Sequence, residues 1–277
     1  MTIVEKLKKD LINENGIFFN KKNTDVSYPK EGNELYFEIE KDSFWFNHRN
    51  RVIIEAVQRY SPNEVFFDIG GGNGFVASGL ENNGIPVVLI EPGIQGCLNA
   101  KKRGLSTIIC STLEDSTLES NTVPAVGLFD VIEHIENDSD FIQLIKGFLI
   151  ENGLVYISVP AYQFLWSDED TLAGHYRRYT LPKLEQLLKE CGFKIEFSSY
   201  FFNILPLPVF LFRTLPYKLG FKSTSVKKEK NLKEHQNKKG FLKFILDLVW
   251  DFELKRIKKG KKMPFGGSCF IVARKSN

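Results

Sequence analysis

Asp68 is followed by glycines at 70, 71, 72 and 74, in the run Val65-Phe66-Phe67-Asp68-Ile69-Gly70-Gly71-Gly72-Asn73-Gly74-Phe75. Backbone without a Cβ turns sharply and lets a ligand come close. Glu91 stands seventeen residues past Gly74 and ends a second apolar run, Val87-Val88-Leu89-Ile90. An apolar run, a glycine turn and a later acid are the parts of a nucleotide-type site at the edge of a parallel sheet. The spacing separates two ligand chemistries. A dinucleotide site reads G-x-G-x-x-G. Here the third glycine counted from Gly70 falls on Phe75, and the second counted from Gly71 falls on Asn73. An acid at 68 sits badly beside a diphosphate and suits a ligand with an ammonium group. S-adenosylmethionine (SAM) carries one, with a sulfonium and a ribose whose hydroxyls Glu91 could hold. A nicotinamide oxidoreductase is the alternative.

The elements that would position these residues follow from the pattern. Ser43 precedes an apolar stripe of Val52, Ile53, Ala56, Val57 and Tyr60, which predicts a helix over 44–60. Strands and helices then alternate: strand 64–69, helix 73–83, strand 86–91, helix 93–103 and strand 106–110. Strand 123–129, helix 138–150 and strand 153–159 continue the series. Such alternation implies an α/β fold with a parallel sheet covered on both faces. Thr180 and Pro182 open a helix over 181–191, closed by Gly192. A strand over 193–202 and a last strand over 268–274 follow. Residues 3–14 read as a short amphipathic helix and 15–42 as polar and irregular.

The 277 residues suffice for one large domain with an elaboration, and 43% hydrophobic content supports a core. The expected division is an N-terminal helical lid over 1–60, a core over 61–202 plus 263–277, and a helical, Lys-rich insertion over 203–262. Four scattered cysteines without C-x-x-C spacing favour reduced thiols in the cytoplasm. No apolar signal core opens the chain and no run of about 18 apolar residues occurs. The net charge of +3 conceals an asymmetry, because residues 222–262 hold 14 Lys or Arg against 5 acids. So local a basic segment disfavours a nucleic-acid role. Within the insertion, an apolar stretch over 201–212, lysines around 227–239 and a helix over 241–257 allow two readings. One is a subdomain packed on the sheet; the other is peripheral contact with the inner face of an anionic membrane.

The segment Val65 to Phe75 resembles motif I of the class I SAM-dependent methyltransferases. The run from Val126 through Asp130-Val131-Ile132-Glu133-His134 resembles the D-V-x-E-H signature of their broad ubiquinone-pathway-like branch, types 11 and 12. Phe44-Trp45-Phe46-x-x-Arg49-Asn50, Val159-Pro160-Ala161-Tyr162, Trp166-Ser167-x-x-Asp170 and His175 to Thr180 are similar to a bacterial sub-branch often associated with polysaccharide or glycolipid pathways. Pro124 departs from it, since relatives often carry an acid there, and a cysteine-rich ribbon that opens some relatives is absent. The resemblance implies a Rossmann-like three-layer sandwich. Its sheet has seven mostly parallel strands, with the last strand antiparallel and inserted beside its predecessor.

It also implies roles. Asp68, Gly70, Gly71, Gly72 and Gly74 would frame the methionine part of SAM, and Glu91 the ribose. Pro92, Thr112 and Leu113 would flank the adenine, with Phe129 and Asp130 at the end of the fourth strand. Trp45 and Arg49 would close the site, Arg49 on the cofactor carboxylate. His134, with Asp130 and His175, is the candidate catalytic set, His134 as general base. Asp130, Glu133 and His134 also resemble a Mg²⁺-binding pattern that His175 could complete, but no metal is assigned. Tyr162, Trp166, Arg178 and Tyr179 would bind a small-molecule, glycan or glycolipid acceptor. S-adenosyl-L-homocysteine would be the product. A scaffold that binds SAM without catalysis is a third reading.

Overall fold

The computed structural model describes residues 3–20, 36–220 and 241–276; the Lys-rich stretch 222–239 lies outside the described residues. The chain begins with α1 (Ile3–Lys9), β1 (Ile12–Glu14) and β2 (Ile17–Phe19). After a helical stretch over 36–40 come α2 (Phe44–Tyr60), β3 (Phe66–Ile69), α3 (Phe75–Glu81), β4 (Val87–Glu91), α4 (Ile94–Lys102) and β5 (Ile108–Cys110). Then follow β6 (Val123–Phe129), α5 (Asp138–Phe148), β7 (Leu149–Pro160), α6 (Asp168–Ala173), α7 (Leu181–Glu190) and β8 (Phe193–Phe201). A helical segment follows, α8 (Pro206–Val209), a π turn (Phe210–Thr214) and α9 (Leu215–Lys218). The chain closes with α10 (Phe241–Lys258) and β9 (Ser268–Lys275).

One sheet runs in the order β1-β2-β5-β4-β3-β6-β7-β9-β8. Strands β2, β5, β4, β3, β6 and β7 run parallel to one another, β1 is antiparallel to β2, and β9 lies between β7 and β8, antiparallel to both. The α/β sandwich and its inserted antiparallel last strand are as expected. The sheet has nine strands rather than seven. The two extra strands form a hairpin turned by Asn15 (φ 52°) and Gly16 (φ 83°), the two positive-φ residues of a tight hairpin turn. Pairing β2 with β5 covers a sheet edge that would otherwise be open. The hairpin was hidden because its strands have only three residues each.

Adjacent residues of the central strands face opposite layers. Phe67, Val88, Ile90, Val126 and Leu128 pack with α1, α5 and α7, whereas Phe66, Leu89 and Ala125 pack with α2, α3, α4 and α10. Val52, Ile53 and Val57 of α2 are fully buried. Each such side chain contributes about 1.5–3 kcal/mol by leaving water. Ser43 starts α2 by accepting hydrogen bonds from the amides of Trp45 (3.2 Å) and Phe46 (3.4 Å). Pro124 has no amide hydrogen to give the ladder, and the β6–β7 register shifts between Val123 and Ala125.

Candidate cofactor and acceptor site

The carboxyl ends of β3, β4, β5 and β6 meet at a cleft of about 420 Å³. Its floor and walls are mainly apolar: Ile69, Gly70, Ile90, Pro92, Leu113, Val131, Ile135, Phe141 and Leu144, with Ser111, Thr112, Glu114 and Asp140 at its polar edge. Of the residues singled out in the sequence, Gly70, Pro92, Thr112 and Leu113 line it directly. Ile135, Phe141 and Leu144 were missed. Phe141 and Leu144 lie on one face of α5, three apart, a spacing that reads as ordinary core until the helix is placed over the strand ends.

The glycine corner is braced by Glu91. Its Oε2 accepts from the Gly72 amide (2.9 Å) and its Oε1 from the Gly93 amide (2.8 Å). Burial raises the Glu91 pKa, and those two amides oppose the shift. Gly70, Gly72 and Gly74 all have positive φ. A Cβ at Gly71 would overlap the Asp68 carboxylate and Leu89. Asp68 therefore lies behind the turn. It is fully buried, and neither carboxylate oxygen has a hydrogen-bond partner. Burial pushes its pKa up to about 7; Arg49 and the Ala77 amide pull the other way, while Glu91 adds to the rise.

Phe129 turns into the core, with its ring parallel to that of Phe66 at 6.1 Å. Asp130, the next residue, holds a left-handed backbone (φ 58°), and Arg49 forms an ion pair with its Oδ2. The Arg49 guanidinium lies 4.8 Å from the Trp45 ring, and Trp45 stacks on Phe202 at 5.5 Å. Helix α2 thus reaches the strand end through Arg49, and its partner there is a protein carboxylate. Tyr162 (φ 60°) and Phe202 (φ 60°) also have positive φ just past β7 and β8. Such non-glycine residues cost about 1–3 kcal/mol each and gather at functional sites.

Beyond Asp130, Glu133 is fully buried with both carboxylate oxygens unpartnered. Burial, then the Asp130 charge, raises its pKa well above the usual carboxylate range. The rings of His134 and His175 meet edge to face at 4.7 Å. Donor atoms of Glu133, His134 and His175 lie within 4.8 Å of one another. Burial and the neighbouring His175 lower the His134 pKa. His175 is fixed by Asp170, Nδ1 to Oδ1 at 2.9 Å.

Asp170 organises the loop after β7. It closes a capping box with Ser167 at the start of α6 and receives Arg178 on both oxygens, at 2.6 and 2.9 Å. Burial alone would raise its pKa, but hydrogen bonds from His175 and Arg178 hold it at about 2. Tyr179 is buried and donates to Asp138 Oδ2 at 2.7 Å. Trp166 donates to Thr171 Oγ1 at 3.2 Å, and Tyr162 stacks on Tyr200 at 5.1 Å. Arg178 and Tyr179 thus have internal partners. The sequence carried a signal for Asp170, the S-x-x-D capping pattern at 167–170.

A family model described as "Methyltransferase domain" matches residues 45–196, more than half of the chain. The chain belongs to the class I methyltransferases. Among solved structures it is similar to phosphoethanolamine N-methyltransferase 2 of Haemonchus contortus, described with phosphomonomethylethanolamine and S-adenosylhomocysteine. That match is at 20% identity and TM-score 0.57, covering 94% of this chain and 62% of that one. The chain thus spans less than two thirds of that enzyme's length. It is similar to a SAM-dependent methyltransferase of Thermotoga maritima, described as a possible histamine N-methyltransferase, at 14% identity and TM-score 0.54, covering 89% of this chain and 95% of that one. A putative methyltransferase of Haloferax volcanii, in complex with the Trm112 activator, matches at 10% identity and TM-score 0.57, covering 90% and 96%. No curated protein matches in sequence. At these identities the solved structures establish the shared fold, and the family match establishes the membership.

Proposed function

We propose that this methyltransferase transfers the methyl group of SAM to an oxygen or nitrogen of a small-molecule, glycan or glycolipid acceptor. The observation that carries this reading is the glycine corner, braced by Glu91 and backed by Asp68, opening onto the apolar cleft. The corner suits the group chemically. Asp68 is an unpartnered buried carboxyl behind a backbone that only glycine allows; with its pKa near 7 it carries part of a negative charge at neutral pH, and a nearby ammonium would favour its ionised form. Pro92, Leu113 and Phe141 offer flat apolar walls for an adenine, and Glu91 stands where ribose hydroxyls would compete for its oxygens.

SAM supplies an electrophilic sulfonium methyl, so the protein's task is alignment, exclusion of water and removal of one proton. His134 is the group for the proton. Its lowered pKa keeps the imidazole neutral near pH 7. A neutral ring has one nitrogen free to accept. His175 packs against it edge to face, the Asp130 charge favours its protonated form once it has taken the proton, and Trp45 with Arg49 closes the side facing α2. The N-methyltransferase names of two solved neighbours support a nitrogen acceptor as much as an oxygen one.

Calorimetry with SAM, S-adenosylhomocysteine and NAD tests the cofactor, and transfer of a radiolabelled methyl into cell fractions tests the reaction. The account expects SAM and S-adenosylhomocysteine to bind, NAD not to bind, and label to appear in one fraction. NAD binding without SAM binding would favour an oxidoreductase. SAM binding without labelling in any fraction would favour a scaffold.

A further inference from the structure

Ten of the eighteen exposed large apolar side chains among the described residues fall between 204 and 252. In the segment 206–218 and just beyond, Leu207, Leu211, Leu215 and Leu219 recur every fourth residue and are exposed, with Phe212 at 73%. Helix α10 shows two apolar faces. Trp250, Leu254 and Ile257 are buried, with Trp250 stacked on Phe44 of α2 at 6.1 Å. Phe244, Ile245, Leu248 and Phe252 fall within about 100° of arc on the opposite side, and all four are exposed. An inward face explains one apolar stripe. The other has no partner among the described residues.

The charges around these faces are mainly basic, with Asp247 and Asp251 of α10 as the acids beside the outward face. Lys218, Lys255, Lys259 and Lys261 are exposed, and the Arg256 guanidinium lies 5.8 Å from the Phe252 ring. The whole span 222–262 carries 14 basic residues against 5 acids. No helix among the described residues is long and apolar enough to cross a membrane. An exposed apolar stripe edged by Lys and Arg, on helices too short or too polar to span, is the composition of a helix lying in an anionic lipid interface.

Two ties connect this surface to the cleft. Glu253 of α10 is fully buried and accepts from the Phe202 amide (2.8 Å), the Asn203 amide (2.9 Å) and His48 Nε2 (2.6 Å). His48 precedes Arg49. Arg213 pairs with Glu169 at 2.5 Å, and Thr214 Oγ1 donates to the Leu165 carbonyl at 2.9 Å, next to the acceptor-side loop.

We propose that the outward faces of segment 206–218 and α10 form a docking surface for an anionic phospholipid bilayer. The methyltransferase then works at a membrane surface, with the acceptor-side loop and α2 next to the lipid. This proposal stands on the exposed faces and does not depend on the assignment of the cleft.

The test is flotation of the full chain with vesicles of phosphatidylcholine alone and of phosphatidylcholine mixed with phosphatidylglycerol. The wild-type chain is expected to float with the anionic vesicles and about tenfold less with neutral ones or at high salt. The triple substitution Phe212→Ser, Leu248→Ser and Phe252→Ser, at exposed positions, is expected to cut flotation at least about tenfold while SAM affinity, read by calorimetry, is unchanged. Should that variant also lose SAM binding, Leu207→Ser with Phe244→Ser decides in its place by the same two readings. No flotation with anionic vesicles, or flotation unchanged in the variants, overturns the proposal. So does a wild-type dimer in light scattering that the same substitutions make monomeric, since the faces would then cover a second copy.

Discussion

The cofactor corner and the acceptor side are built differently. At the corner, Glu91 reaches the Gly72 amide nineteen residues back, within one βαβ unit. On the acceptor side the decisive pairs are distant: Arg49 with Asp130 is 81 residues apart, and His48 with Glu253 is 205. The corner is assembled by adjacent turns, whereas the acceptor side exists only after α2, the β7–α7 loop and α10 have docked. A lesion at the corner should therefore act chiefly on cofactor affinity. A lesion on the acceptor side should act on stability and turnover with the cofactor still bound.

The largest expected effect breaks the acceptor side. Arg178→Met leaves Asp170 buried and half-paired, and should cost about 3–5 kcal/mol of stability, read by denaturant melts. SAM affinity at temperatures where the variant is folded should change less than about threefold. Asp170 also sets an acid limit. Its folded pKa of about 2 lies below the unfolded value. Its stabilisation is therefore complete above about pH 4 and is lost as pH falls towards 2. The wild-type melt should show this loss and the Asp170→Asn melt should not.

At the corner, Glu91→Ala removes the acceptor for two amides and should weaken SAM binding about 100-fold by calorimetry, with a melting temperature altered less than that of Arg178→Met. An equal loss of SAM affinity in both variants would erase the distinction between the two regions.

Asp68 sharpens the comparison through pH. Its folded pKa, raised to about 7, means that the folded state holds a proton that the unfolded state has released. Stability should fall as pH rises from about 4 to 7. Asp68→Asn should remove that fall, adding on the order of 4 kcal/mol at pH 8 and little at pH 4. The same substitution should weaken SAM, because the negative charge behind the corner is gone.

Turnover alone should respond to His134→Ala, expected to leave SAM affinity unchanged and to lower kcat about 100-fold. Because the His134 pKa is lowered, the wild-type rate should hold to lower pH than an ordinary histidine base would allow. Thr112→Ala should be the mildest. Its hydroxyl pairs with Asp115 Oδ2 at 3.1 Å although the residue lines the cleft, so SAM affinity should change less than about threefold.

The same contrast governs how much of the molecule can be read from its residues. The βαβ series, the Ser43 cap and the α2 boundaries were legible because period, cap and length agree locally. So was the glycine turn, whose positive-φ residues lie close together in sequence. The β1–β2 hairpin was not, because three-residue strands give no alternation to read. Asp68 was expected at the ligand and lies behind the Gly71 backbone, since side-chain depth depends on how the turn packs. Arg178 and Tyr179 were expected to face an acceptor and are held by Asp170 and Asp138. Aromatic and cationic composition does not say whether a loop binds a ligand or itself. Arg49 was expected on the cofactor carboxylate and pairs with Asp130, a contact that needs two elements 81 residues apart to meet.

A crystal soaked with S-adenosylhomocysteine and NAD together tests the central claim most directly. The account predicts homocysteine density over Gly70–Gly72, ribose hydroxyls on Glu91 and adenine between Pro92, Leu113 and Phe141. A dinucleotide lying across the corner, or homocysteine density elsewhere in the molecule, would contradict it.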